Sequence, residues 1–138
     1  KQMKTTLKLS LLFFISILNI NCNNQNSSKT GAPLGEISQI SAAEFKEKSV
    51  NQTIIDIRTP QEYGQGYIEG AININYFDRS FLDQVSEFDK NKPIFIYCRS
   101  GNRTSSASKK LLKLGFTEVY DLQGGIISWA RDKNEIVK

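Results

Sequence analysis

No histidine occurs anywhere in the 138 residues. That one absence removes Ser-His-Asp and Cys-His nucleophile pairs together with the commonest transition-metal ligand. Cysteine is nearly as scarce. Cys22 and Cys98 are the only two, neither in a CxxC or other metal-spaced cluster, and their contexts differ too much to suggest a structural disulfide. Neither a metal nor a cofactor is implied. Charge of one sign is also short: the formal +4 includes Lys1, Lys4 and Lys8, and without them 15 basic residues face 14 acidic ones. A body so nearly neutral has no basic stripe for phosphates, which excludes nucleic acid as the expected partner. Long apolar runs are missing too, the longest being Leu9–Leu18, about half of the roughly 20 residues a membrane-spanning helix needs. What remains, 39% hydrophobic and 23% charged, is the composition of an ordinary globular domain.

The short apolar run follows basic residues ending at Lys8 and stops at polar Asn19, which is signal-peptide architecture for residues 1–22, with Met3 as the expected start. The tract Asn23 to Gly31 has no core-forming periodicity, so residues 23–35 are expected to be a flexible polar linker. Cys22 lies at the junction of the two. That position resembles a bacterial lipoprotein site, where the cysteine is lipidated, although Asn19 and Asn21 stand where the pattern favours a Leu-like and a small residue. The expectation is an exported, periplasmic protein tethered to a membrane by lipid on Cys22; a plain exported protein is the alternative.

From Glu36 short apolar runs alternate with helical patterns, which predicts one α/β domain over residues 36–138 with a mainly parallel sheet. Strands are expected at 37–40, 53–58, 71–75, 94–97 and 118–122. Ser41-Ala42-Ala43-Glu44 is a capping box, and Thr59-Pro60-Gln61-Glu62 a second N-cap with proline at the first helical position. Phe81, Leu82, Val85 and Phe88 recur at helical spacing within 79–88. A further helix is expected from Thr104 to Leu114, stopped by Gly115, and a last one over 126–133 after a tight turn at Gly124-Gly125. The run Ile94-Phe95-Ile96-Tyr97 is continuously apolar, as a strand covered on both faces must be, and it delivers Cys98 at its carboxyl end, where open α/β sheets bind ligands.

Six residues, Cys98-Arg99-Ser100-Gly101-Asn102-Arg103, join that strand to the next helix. Gly101 permits a positive-φ turn and no proline removes an amide donor, so the loop can aim its N–H groups at one point. Amides, a positive helix end and the charges of Arg99 and Arg103 favour a thiolate at Cys98 and would hold an incoming anion. A nucleophile so placed needs no histidine base. The plainer reading, a small buried hydrophobe at a strand end, fits an isolated cysteine better than one embedded in this loop.

Asp56-Ile57-Arg58, Glu62-Tyr63, Gly66-Tyr67-Ile68-Glu69-Gly70-Ala71-Ile72-Asn73-Ile74, Tyr97 to Arg103, and Leu122-Gln123-Gly124-Gly125-Ile126 with Trp129 occur in the order and spacing of a single rhodanese domain, which the chain resembles over most of residues 36–133. The resemblance implies a five-stranded, mainly parallel sheet flanked by helices on both faces. It further implies that Cys98 takes sulfane sulfur from a small sulfur-containing anion such as thiosulfate or polysulfide. The resulting persulfide would then pass its sulfur to a thiol or cyanide acceptor. On the same resemblance Asp56 and Arg58 would lie near the loop and brace it by charge-assisted hydrogen bonds, whereas Trp129 and Gly124-Gly125 serve packing. Tyr67 departs from the family, which usually has histidine there. Two other functions are compatible with the residues: a carrier or binding module without turnover, and a phosphatase or arsenate-reductase-like enzyme. The last is disfavoured because only four residues separate Cys98 from Arg103, where those relatives have five.

Overall fold

The computed structural model describes residues 35–138. Every residue of Ile94–Tyr97 is buried, and this strand lies in the middle of the sheet. In chain order the elements are β1 Glu36–Ile40, α1 Ala42–Lys48, β2 Thr53–Asp56, α2 Pro60–Gly64, β3 Ile72–Asn73, α3 Phe81–Ser86, β4 Ile94–Tyr97, α4 Asn102–Lys113, β5 Glu118–Leu122 and α5 Gly125–Arg131. The five strands are arranged β1-β5-β4-β2-β3, and each adjacent pair is parallel.

Because successive side chains of a strand point to opposite faces, β4 divides its residues between two cores. Ile94, Ile96 and, beyond the strand, Cys98 join Phe81 and Val85 of α3 and Ala107 and Leu111 of α4. Phe95 and Tyr97 face the other way, among Phe45 of α1 and Ile126 and Trp129 of α5. Phe45 sits edge-on to three rings there, with centroids 5.3 Å from Phe95, 6.4 Å from Tyr97 and 6.2 Å from Trp129. The sheet is thus covered on both faces, and Cys98 belongs to the face roofed by α4.

Both capping boxes form. The Ser41 side chain accepts from the Glu44 N–H and Thr59 from the Glu62 N–H, with each glutamate returning a bond to its cap. Element ends differ from the sequence expectation for local reasons. The second strand stops at Asp56, not 58, because the Asp56 carboxylate takes the Arg58 N–H at 2.9 Å and turns the chain. The third is reduced from 71–75 to Ile72–Asn73, the only residues of that run in register with Ile55 and Asp56. The helix after Cys98 begins at Asn102, two residues early, since Gly101 reverses the chain at φ 98°. The last helix begins at Gly125 and ends at Arg131, before Lys133 enters the left-handed region at φ 58°. The predicted signal segment 1–22, with Cys22, and almost all of the linker 23–35 lie outside the described residues.

Candidate functional site

Cys98 is fully buried, at the floor of the loop between β4 and α4. Its Sγ accepts the Gly101 N–H at 3.1 Å and lies 3.8 Å from Thr104 Oγ1. The Thr104 hydroxyl in turn donates to the Gly101 carbonyl at 2.9 Å, so Gly101 is held at both its amide and its carbonyl. Asn102, Arg103 and Thr104 open α4, and their N–H groups have no acceptor within the helix. With twelve residues behind it, this helix end presents amides and the positive end of its dipole at the loop.

The loop is held from behind by α5. Ile126 donates its N–H to the Cys98 carbonyl at 2.9 Å and Ile127 to the Arg99 carbonyl at 3.2 Å. This approach requires glycine at 125, where a Cβ would stand 2.5 Å from both of those carbonyl oxygens and where φ is 60°. The same contact explains why Gly124-Gly125 is a packing device for the Cys98 loop.

Arg103 turns its guanidinium to Glu62, with Nη1 2.8 Å from Oε2 and Nη2 2.7 Å from Oε1. This two-pronged bond, aided by the bonds from Thr59, holds the Glu62 carboxyl at about 2, far below its ordinary value, against the opposing effect of burial. The pair fixes Arg103 beside the loop while Arg99, Ser100 and Asn102 remain exposed at its mouth. The exposed ring of Phe77 lies 5.7 Å from the Arg103 guanidinium.

Asp56 and Arg58 lie near the loop, as expected, but their bonds do not brace it. The Arg58 guanidinium bonds both Asp56 oxygens, with Nε at 2.9 and 3.0 Å and Nη2 at 2.6 Å, and its remaining bond runs to the Gly66 carbonyl at 2.7 Å. Burial disfavours the charge of Arg58, and its bonds to Asp56 outweigh that burial. These bonds hold the segment before β3, and none goes to residues 98–103. The brace on the loop is Glu62, 41 residues from Arg103 in sequence, which the sequence marks as a capping residue and as part of a family segment but not as a partner of the loop. No local pattern signals its second role, because that role is created by the parallel pairing of β2 with β4.

The family model for the Rhodanese-like domain matches residues 41–132, which includes every element of the site. The chain belongs to the rhodanese-like family. Among curated relatives, "Thiosulfate sulfurtransferase 16, chloroplastic" of Arabidopsis thaliana is 41% identical over 56% of this chain and 73% of its own. A protein named "Sulfurtransferase" from Allochromatium vinosum is 36% identical over 75% of this chain and 95% of its own. Among solved structures, a rhodanese-related protein from Thermoplasma volcanium superposes with a TM-score of 0.65 at 30% identity, covering 72% of this chain and 96% of that one.

In this rhodanese domain Tyr67 takes no part in the loop. Its ring stacks on Tyr63 with centroids 4.1 Å apart, and its backbone pairs with Val137 in both directions, at 2.9 and 3.0 Å. Burial, followed by the neighbouring Tyr67, raises the Tyr63 hydroxyl above its ordinary value. Tyr97 lies beneath this segment, buried, its hydroxyl accepting the Ile68 N–H at 3.0 Å. Burial and the nearby Asp56 charge push that hydroxyl far upward, so it stays neutral.

Proposed function

We propose that the protein is a sulfurtransferase working through a persulfide on Cys98, with thiosulfate or polysulfide as donor. The observation that carries this reading is the Gly101 N–H directed at Cys98 Sγ at the start of α4. Names of relatives point to the same reaction class. The Cys98 thiolate attacks the outer sulfur of thiosulfate, forming an S–S bond as sulfite leaves with the electron pair of the broken one. The added sulfur then occupies the mouth lined by Arg99 to Arg103, where amides and the helix end offset its negative charge. An external thiolate or cyanide attacks that terminal sulfur, takes it away, and returns Cys98 as thiolate. Since Cys98 is the only cysteine of the domain, no second thiol there discharges the persulfide as an intramolecular disulfide. Export and tethering through a lipid on Cys22 belong to the same proposal, supported by the leader, the cysteine at its end and the polar tract that follows.

The test is transfer of sulfur from thiosulfate to cyanide by the wild type and by Cys98→Ser, with mass spectrometry of the Cys98 peptide. The expected result is thiocyanate formation and a mass gain of one sulfur atom, both lost in the variant. No adduct after thiosulfate or polysulfide treatment would overturn the reading. An adduct without turnover would indicate a carrier, and phosphate release from an aryl phosphate a phosphatase.

A further inference from the structure

Phe77 is the most exposed large apolar side chain among the described residues, 66% open to solvent, and no step of the sulfur transfer above uses it. It is nonetheless held in place. Its N–H donates to Asn75 Oδ1 at 3.2 Å, and the Asn75 side-chain amide donates to Asp78 Oδ1 at 3.0 Å, which fixes the turn that carries it. Helix α4 then sets two cations over neighbouring rings, the Arg103 guanidinium 5.7 Å from the Phe77 centroid and Lys110 Nζ 4.5 Å from that of Tyr76. Because both oxygens of Glu62 pin Arg103, the Phe77 ring stands beside the last residue of the Cys98 loop.

The start of the loop has an apolar neighbour too. Ile127 is 48% exposed, and its N–H bonds the Arg99 carbonyl at 3.2 Å. The loop itself presents the exposed side chains of Arg99, Ser100 and Asn102, and Arg99 forms no ion pair among the described residues. An apolar group at either end and an uncompensated cation on the loop make a rim suited to something larger than the reacting anions. Thiosulfate and cyanide are small and strongly hydrated, so an exposed phenyl ring offers them nothing. A cysteine within a polypeptide is different. Its thiolate answers Arg99, and the side chains before and after it can cover Phe77 and Ile127.

We propose that Phe77 and Ile127 are specificity-determining residues for the sulfur acceptor, and that this acceptor is a protein cysteine flanked by apolar side chains. Such a partner serves the second half of the sulfur-transfer reading, on which the proposal rests. Its thiolate attacks the terminal sulfur of the Cys98 persulfide; an S–S bond forms on the acceptor as the one to Cys98 breaks, and the electron pair returns to Cys98 as thiolate. No outside oxidant or reductant takes part.

The experiment follows sulfite release from thiosulfate by the full chain with cyanide, acetyl-Gly-Cys-Gly-amide or acetyl-Leu-Cys-Leu-amide as acceptor, and Cys98→Ser as the blank. In the wild type kcat/KM for the Leu-flanked peptide is expected about tenfold above that for the Gly-flanked one, mainly through KM. Phe77→Ser should lower that ratio about fourfold and Ile127→Ser about twofold, whereas Phe77→Leu should keep most of it. A merely structural role would slow transfer to all three acceptors together and leave the ratio where it was. A wild-type ratio near one, or a ratio unmoved by Phe77→Ser, would overturn the proposal. Should Trp129 fluorescence show that Phe77→Ser fails to fold, Ile127→Ser carries the same test. Absence of sulfite with every acceptor would sink the transfer reading itself, while sulfite with cyanide and no preference between the peptides would sink the acceptor assignment alone.

Discussion

Glu62 reaches Arg103 with both carboxylate oxygens while Oε2 also takes the Thr59 N–H that closes the cap of α2. One residue therefore couples the start of a short helix to an arginine of the Cys98 loop. Because the folded carboxyl is held at about 2, below its ordinary 4.5, the stability it contributes is complete above pH 4.5 and is lost as pH falls toward 2. Glu62→Gln should cost about 1 kcal/mol at pH 7, a figure kept small because the pair is partly open to solvent. In denaturant melts the gap between wild type and variant should close as pH is lowered from 4.5 to 2, and a gap that stays constant would refute the assignment. The contrast with Cys98 shows what a sequence displays at this scale. A cysteine followed by glycine and arginine at a strand-to-helix junction is visible as a candidate nucleophile, since the partners of its sulfur, Gly101 and Thr104, lie within six residues. Glu62 becomes part of the site only through strand register, which no local spacing encodes.

At the scale of elements, the alternation of apolar runs with capped helical segments was enough to place the five strands and five helices of the described residues. Boundaries moved where a side chain competes with the regular pattern: Asp56 ends β2 by binding its own chain, and Gly101 starts α4 early by turning it. The placement of α5 is the least foreseeable element contact, because it depends on glycine having no side chain. Gly125→Ala adds a methyl group 2.5 Å from two carbonyl oxygens at a backbone angle that L residues avoid. The expected result is a loss of about 1–3 kcal/mol in denaturant melts and a larger fractional loss of sulfur transfer, as Ile126 and Ile127 are drawn off the loop. Unchanged transfer in a destabilised variant would show that the loop keeps its shape unaided.

For the molecule as a whole, the family and its parallel sheet were legible because five separate segments occur in order, each weak alone. The proposed membrane tethering lies outside that logic and turns on Cys22. Incorporation of radiolabelled palmitate is expected in the wild type and absent in Cys22→Ser; equal labelling of both would refute lipidation at this residue. The sheet order carries one more consequence. β5 and α5, which follow the Cys98 loop in the chain, are the elements that join β1 to β4 and clasp the carbonyls of Cys98 and Arg99. A chain cut short anywhere between Arg103 and Gly125 still contains the whole Cys98 loop and its Glu62–Arg103 brace, yet lacks the clasp on the loop's carbonyls. On the proposed sulfur-transfer reading, a nascent or prematurely terminated product should therefore be less reactive at Cys98 until α5 has been made.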